Sequence, residues 1–259
     1  MKSVLRSVNR RLPHGPLDLA RQIALFWVAY YAYSLVRGLA DDPGVAAAAF
    51  DNAREIISLE RTLHIFVEPA VQTWSMGSGV LIDSASWVYI NAQTSVTLGA
   101  LAWIYLFRNQ SFYFVRNMFM AAMVVALVGY TLYPTAPPRF FPEWGFFDSV
   151  SDFTGVEPST TGVNAMFNPY AAVPSMHVAF ALMIGWPLAK LVRGRVARAF
   201  WWAYPVLVTY VIVATGNHFV MDAVLGAATA GVSALAAREL ARARPAVWRF
   251  GPRAAVSSS

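Results

Sequence analysis

The chain has 259 residues, of which 57% are hydrophobic and only 13% are charged, and its formal net charge is +6. A soluble domain carries about 25% charged residues, so this composition excludes an ordinary soluble enzyme and predicts a membrane protein. An aromatic content of 14% excludes a disordered chain, and the absence of cysteine excludes disulfides, thiolate metal sites and cysteine nucleophiles.

Six apolar stretches approach the length of about 20 residues that a helix needs to cross a bilayer. They predict membrane-spanning helices over residues 22–40, 86–107, 115–133, 174–192, 199–215 and 218–236. The first is the weakest, because only Ile23 to Val36 is free of charge. Such a stretch after a basic leader is also typical of a signal peptide, but its Trp and Tyr content favours a retained helix. The expected fold is all-α, a polytopic six-transmembrane-helix bundle over residues 22–236.

The basic residues are distributed unequally between the two sides of this bundle. With an even number of spans both termini lie on one side, and most of the 20 Lys and Arg residues fall there. The positive-inside rule then predicts that the basic leader 1–21 and the basic tail 237–259 are cytoplasmic. The net charge is thereby explained as a topology signal. We expect a multi-pass protein of the plasma or inner membrane, with the bilayer and not nucleic acid as its partner.

Two long segments face the extracytoplasmic side in this topology. Residues 41–85 contain an amphipathic outer segment, Phe50 to Trp74, expected to lie along the membrane surface or to pack over the bundle. Within it, His64 stands one helical turn from Glu60 and from Glu68, which predicts a surface pair. Residues 134–173 are rich in Pro, Gly, Asn, Ser and Thr, and we expect them to form a functional loop.

Two of the four histidines, His177 and His218, stand at the start of predicted helices that begin on the outer side. They therefore lie at one depth and can converge on a single site. Asp222 follows His218 by one helical turn, and a carboxylate inside a membrane costs about 2.5–3.5 kcal/mol, so it is expected to have a partner and a purpose. A carboxylate bound to an imidazole suits a nucleophile or base, although a purely structural His–Asp pair fits the spacing equally well.

Two further elements can bind an anion. The sequence Pro174-Ser175-Met176-His177 opens a helix, whose free N–H groups and positive end form an anion site unless it is an ordinary helix start. Arg139, the only strong base in the long outer loop, can hold phosphate oxygens in a fork or can anchor the loop to lipid headgroups. Together these residues fit a phosphoryl-transfer site that needs no metal and no other cofactor.

At these residues the chain resembles the type-2 phosphatidic acid phosphatase superfamily, over about residues 90–235. The three motifs that carry the resemblance are Ala136-Pro137-Pro138-Arg139, Pro174-Ser175-Met176-His177 and Gly216-Asn217-His218 with Asp222. The resemblance implies a six-helix bundle with its site at the outer end and a phospholipid or lipid phosphate as substrate. It implies that His218 attacks phosphorus to form a phosphohistidine, oriented by Asp222. His177 would then protonate the departing alkoxide, while Arg139 and Ser175 bind the phosphate.

The chain departs from the phosphatase branch of that family at two places where the branch carries cations. Leu132 stands at the place of a Lys, and Val211 and Ile212 stand at the place of a Ser-Arg pair. The sequence Tyr133-Pro134-Thr135 before the first motif resembles the inositolphosphotransferase branch, which includes the fungal inositol phosphorylceramide synthase. A less charged site suits a phosphodiester, so the resemblance favours transfer of a phospho-headgroup, with phosphoinositol as a candidate.

Other functions fit parts of the sequence. A lipid phosphomonoester phosphatase, acting on phosphatidate or polyprenyl phosphate, would use the same phosphohistidine with water as acceptor. A proton-coupled membrane transporter also pairs His with Asp, but it would spread ionisable groups through the bundle, whereas here they gather at the outer ends. A structural protein would have lost one of the motif side chains. The oligomeric state is open, because Gly226 to Gly231 permits close helix contact without requiring a dimer.

Overall fold

A computed structural model describes residues 12–37, 43–156 and 170–251. Within these ranges the protein is helical and has no β-strand, only an isolated backbone bridge between Thr135 and Ala171. The all-α class is thereby confirmed. Most of the basic leader, the end of the first predicted span, the middle of the long outer loop and the end of the basic tail lie outside the described residues.

Most of the helices follow one another with short connections. In chain order they are α1 (Gly15–Arg37), α2 (Pro43–Thr62), α3 (Glu68–Met76), α4 (Gly79–Phe107), α5 (Asn109–Leu132), α6 (Ser149–Thr154), α7 (Met176–Leu191), α8 (Arg195–Ala214), α9 (Val220–Ala243) and α10 (Pro245–Trp248). Longer segments separate α5 from α6 and α6 from α7. Two 3₁₀ turns, Pro138–Phe140 and Pro142–Trp144, lie between α5 and α6.

Among the described residues, three helices are long and apolar enough to cross a membrane: α5, α8 and α9. The protein is therefore membrane-embedded by length and composition. The other three predicted spans coincide with α1 of 23 residues, α4 of 29 residues and the apolar α7 of only 16 residues. Every predicted span thus falls on a helix, while the count of six crossings stays a prediction.

The core lies where α5, α7, α8 and α9 pack against one another. Each of these helices contributes fully buried side chains, among them Val115, Ala122, Ala179, Met183, Ile184, Ile212 and Ala237. Small residues permit close approach of the helix backbones. A Cβ at Gly226 would lie 2.3 Å from the backbone oxygen of Ser175, so α9 touches the start of α7 directly. Gly231 has no such neighbour within 4 Å, and the Gly226 contact is made within one chain.

The segment predicted to be amphipathic contains two helices, α2 and α3, which pack against the start of α9 and the loop that follows α5. The buried face of α2 includes Ala53, Ile56 and Ile57, in a cluster with Phe141 and Phe219. This apolar stripe explains why the segment folds back onto the chain, since burial of such side chains is worth about 1.5–3 kcal/mol each for the larger ones. The position of the segment relative to the membrane surface stays a prediction.

The predicted surface pair of His64 with Glu60 or Glu68 is wrong. His64 is exposed, and its left-handed φ of 58° lies in the turn that separates α2 from α3, so no continuous helix joins Glu60 to Glu68. The one-turn spacing on which the prediction depended therefore does not exist. Both glutamates are fully buried and accept hydrogen bonds from α9 instead.

Candidate active site

A tight connection between α8 and α9 places His218. Gly216 has a φ of 66°, and a Cβ there would lie 2.8 Å from Nε2 of Gln72, so both the backbone angle and the space require glycine. The N–H groups of Asn217 and His218 both donate to the carbonyl oxygen of Ile212, at 3.1 Å each. The last turn of α8 thus turns the chain sharply and presents His218 just before α9 begins.

Asp222 holds His218 from the first turn of α9. Its Oδ2 lies 3.2 Å from Nδ1 of His218 and accepts the N–H of Phe219 at 2.9 Å. Asp222 is fully buried and His218 is 4% exposed. A hydrogen bond from Nδ1–H to a carboxylate fixes the tautomer and leaves Nε2 with the lone pair that a nucleophile needs.

The surroundings of His218 suit this role. Its ring is buried, and the positive charge of Arg139 acts on it, so the neutral form of the imidazole is favoured over the charged form.

His177 and Ser175 come from the start of α7. The ring of His177 lies 5.4 Å from the ring of His218, centroid to centroid, and stacks on Tyr89 of α4 at 4.6 Å. Ser175 is fully buried, and its Oγ has no hydrogen-bond partner in the described part of the chain. Its N–H donates to the backbone oxygen of Asp222 at 3.1 Å, which ties the start of α7 to the first turn of α9.

Arg139 is held by the loop that follows α5. It lies in the first 3₁₀ turn, and its backbone N–H donates to the carbonyl of Gly216 at 2.8 Å. Its guanidinium donates to Oδ1 of Asn217, the residue before His218, and its Nε lies 3.5 Å from Oδ2 of Asp148. The guanidinium is thereby fixed beside His218 with part of its charge already met by a carboxylate.

The five predicted site residues therefore lie together, at the end of the bundle where α7 and α9 begin. Their catalytic roles stay predictions. Four other side chains around them have no part in the three motifs: Glu60, Glu68, Tyr89 and Asp148.

An apolar groove opens next to the site between α4, α7 and α8. His177 forms part of its wall. Its other lining residues are mainly apolar, among them Val88, Phe180, Tyr204 and Val208, with Gln93 and Thr97 as polar exceptions. A concave apolar surface beside polar, reactive groups is the usual form of a ligand site. In the described residues, no group of His, Cys, Asp and Glu has the arrangement to hold a metal ion.

The protein is thus a helical membrane protein in which two histidines and an arginine lie together at one end of the bundle. A family model described as the PAP2 superfamily matches residues 54–236, more than half of the chain, and the chain belongs to that superfamily. Membership indicates a function of the lipid phosphatase or phosphotransferase type. Comparison with curated proteins and with solved structures finds no match.

Proposed function

We propose that this protein is an integral-membrane lipid phosphotransferase or phosphatase that works through a phosphohistidine on His218. Membership of the PAP2 superfamily supports the class of reaction. The observation that carries the proposal is the pair of imidazole rings, His177 and His218, with centroids 5.4 Å apart beside the guanidinium of Arg139. Two histidines at that spacing can act on one phosphate group, one as nucleophile and the other as acid.

In the first step, Nε2 of His218 attacks phosphorus, a P–N bond forms and the P–O bond to the departing alkoxide breaks. Asp222 holds Nδ1–H and stabilises the positive charge that develops on the ring. His177, in its protonated form, gives its proton to the alkoxide. Arg139, the N–H groups at the start of α7 and the hydroxyl of Ser175 bind the phosphoryl oxygens as their charge develops.

In the second step, an acceptor hydroxyl group loses its proton to His177 and its oxygen attacks phosphorus. The P–N bond breaks and His218 returns to its free form. Water as acceptor makes the protein a phosphatase, whereas a lipid or polyol alcohol makes it a transferase. No metal or other cofactor takes part in either step.

The charge of the site favours a phosphodiester substrate. Leu132, at a place where the phosphatase branch carries a cation, is 76% exposed, and Val211 and Ile212 are buried in the helix packing. Asp148 already meets part of the charge of Arg139. We therefore favour transfer of a phospho-headgroup, with phosphoinositol as a candidate, over hydrolysis of a monoester such as phosphatidate or polyprenyl phosphate.

We assign the site to the extracytoplasmic side of the membrane, with both termini in the cytoplasm, by the positive-inside rule. The mainly apolar side chains that line the groove beside His177, on α4, α7 and α8, support a lipid substrate, because they are suited to contact with an alkyl chain. The polar headgroup would then meet His177, His218 and Arg139 at the end of the bundle.

The experiment follows phosphorus from the lipid to the protein. Full-length protein in nanodiscs, with chelator present, is incubated with ³²P-labelled phosphatidate or, separately, with ³²P-labelled phosphatidylinositol. We expect acid-labile label on the wild-type protein. In His218→Ala we expect no label and a loss of turnover of about 10³-fold or more, as for removal of a nucleophile. The lipid that labels the protein identifies the branch of the family.

The matched control is His64→Asn, because His64 is an exposed histidine far from the motif residues in the sequence and Asn tolerates its left-handed backbone. This variant should label like the wild type. Rapid release of phosphate from monoesters, without any reaction of the diester, would overturn the preference for transfer. No label and no turnover from either lipid would overturn the proposed reaction and would direct attention to proton-coupled transport by His218 and Asp222.

A further inference from the structure

The first N–H groups at the start of α9 are bound by buried carboxyl groups. The N–H of Phe219 donates to Asp222 at 2.9 Å. The N–H of Val220 donates to Glu68 at 2.7 Å, and the N–H of Met221 donates to Glu60 at 2.6 Å. Only Asp222 belongs to the recognised motifs. The other two carboxyl groups belong to Glu68 of α3 and Glu60 of α2, which lie 152 and 161 positions away along the chain from the N–H groups that they accept.

The turn between α2 and α3 brings Glu60 and Glu68 side by side. Glu60 lies in the last turn of α2, Glu68 is the first residue of α3, and the N–H of Ile65 donates to the backbone oxygen of Glu60 at 2.9 Å to close the turn. Both glutamates are 0% exposed. Each accepts from α9 with one oxygen, Oε1. The Oε2 of each is buried and receives no hydrogen bond from any other residue in the described part of the chain, so the only donor available to it is a proton on the neighbouring carboxyl group.

Two neighbouring carboxylates can only accept hydrogen bonds, so a hydrogen bond between them requires a proton. Without it, the site would hold three negative charges with Asp222, and the N-terminus of a helix offsets only about half of one charge. Burial, a hydrogen bond with Glu68 and the charges of Glu68 and Asp222 raise the pKa of Glu60 to about 9, although the N–H of Met221 lowers it. At neutral pH one proton is therefore retained.

We propose that Glu60 and Glu68 share one proton and act as positioning residues, holding the first turn of α9 so that His218 and Asp222 face the phosphate. The catalytic part of this proposal rests on the proposed function, whereas the shared proton does not. His218 directly precedes the first of the bound N–H groups, and Asp222 directly follows the last. A shift of this turn therefore changes the Nδ1 to Oδ2 distance of the reacting pair.

The shared proton makes the protein sensitive to alkaline pH. The folded protein retains a proton that the unfolded chain releases above the ordinary pKa of 4.5, so the free energy of unfolding declines as the pH rises from 4.5 to about 9. The ionisable groups that act on Glu60 are Glu68 from α3 and Asp222 from α9, and both are acidic. Loss of the proton therefore adds a repulsive charge to the pair.

The first test measures thermal unfolding of the full chain in detergent from pH 6 to pH 10, without any substrate. The variants are Glu60→Gln, Glu68→Gln and the double variant, with Glu55→Gln on the exposed side of α2 as the matched control. A single Gln places an amide N–H where the shared proton lies. We expect the melting temperature of the wild type and of Glu55→Gln to fall at alkaline pH. The melting temperature of each single variant, Glu60→Gln or Glu68→Gln, should not show this fall.

The double variant separates a shared proton from two independent contacts. When both residues are Gln and both oxygens accept from α9, the two NH₂ groups face each other. If one amide is reversed, its NH₂ group faces an N–H of α9 instead, so in either case two donors face each other without an acceptor. We therefore expect the double variant to melt well below either single variant, by much more than the sum of the two single changes. Additive single and double effects, or a wild-type melting temperature that is flat across this pH range, would overturn the shared proton.

The second test measures turnover of whichever lipid labels the protein. We expect Glu60→Ala to lower kcat about 10- to 100-fold, with KM within about twofold, as for loss of a group that orients a reacting residue. Glu60→Gln should retain most of kcat at pH 7 and extend activity to higher pH. Equal kcat in the Ala and Gln variants would overturn the positioning role. An inactive wild type would overturn the proposed function, and the melting data would still test the proton.

Discussion

Two helices begin at the site, and their N-termini have opposite surroundings. The first N–H groups of α9 are bound by Asp222, Glu68 and Glu60. At the start of α7, in the described part of the chain, the N–H groups of Met176 and His177 have no acceptor. Ser175 Oγ beside them is buried and has no partner there either. One positive helix end is thus neutralised by the protein, and the other is available to an anion.

The difference explains the division of work that we propose between the two motifs. A helix end whose N–H groups are bound by carboxyl groups is rigid and repels phosphate, which suits the residues that must hold the nucleophile in place. An open helix end attracts phosphate, which suits the residues that bind it. Substitutions at four positions test this difference between the two helix ends, and they are given in order of decreasing expected effect.

Removal of the cation that completes the open end has the largest expected effect. Arg139→Gln should lower kcat/KM about 10²- to 10³-fold, as for loss of a charged group that stabilises a transition state. The kcat/KM of Arg139→Lys should be nearly as low, because a lysine lacks the planar, forked guanidinium that can bind Asn217 and the phosphate together. Turnover of the labelling lipid measures both. Arg54→Gln, which removes an exposed arginine paired with Asp51, is the control and should leave turnover unchanged.

Separation of the two helix ends should come next. The Cβ of Gly226→Ala would lie 2.3 Å from the backbone oxygen of Ser175, so α9 and α7 must move apart. We expect a loss of stability of about 1–3 kcal/mol, typical of overpacking, and a fall in kcat. Gly231→Ala on the same helix meets nothing within 4 Å and should stabilise the protein by about 0.5–1 kcal/mol. Thermal unfolding of both variants measures these effects. Equal melting temperatures for Gly226→Ala and Gly231→Ala would contradict the close contact between Gly226 and the backbone of Ser175.

Loss of the hydroxyl at the open end should affect activity alone. Ser175→Ala removes a buried, unpartnered oxygen, so we expect no loss of stability and a fall of about tenfold in kcat/KM from one lost hydrogen bond to the phosphate. Ser233→Ala removes a second buried oxygen without a partner in the described part of the chain, in the middle of α9. It should change neither quantity. A fall in activity for both serines alike would argue against a phosphate contact.

The smallest expected effect concerns the ring that supports His177. Tyr89 stacks on His177 with centroids 4.6 Å apart, and such a contact is worth about 0.5–1.5 kcal/mol. Tyr89→Leu should therefore lower kcat about three- to tenfold. Tyr89→Phe keeps the stacked ring and should stay closer to the wild type. A KM effect with unchanged kcat would instead indicate that Tyr89 contacts the lipid in the groove.

The motif residues of the site were accessible to sequence analysis because their spacing is local or marks a helix start. His218 and Asp222 lie one turn apart, and Pro174 announces the beginning of α7. The all-α class followed from composition and from the length of the apolar stretches. The number of crossings is harder to predict, because polar side chains such as Asn91, Gln93 and Thr94 interrupt the apolar sequence of α4, and α7 is apolar but short.

Glu60 and Glu68 were missed because their partners are remote in the sequence. In an amphipathic segment, acidic residues are expected on the solvated face. A signal was nevertheless present: Ala53, Ile56, Ile57 and Glu60 follow the helical i, i+3, i+4, i+7 pattern, so Glu60 lies on the apolar stripe of α2. A charge on such a stripe predicts a buried partner, but nothing local identifies that partner as the backbone of α9.

The turn around the left-handed His64 limits how far the protein can be shortened. A fragment that starts at Gly79 would contain Tyr89 and all three motifs, yet it would lack both carboxyl groups that hold Val220 and Met221. Engineering of a minimal enzyme, or transfer of the motifs onto another bundle, therefore has to include the two helices before the first motif. On the proposed function, α2 and α3 therefore belong to the smallest unit that can hold His218 and Asp222 in place.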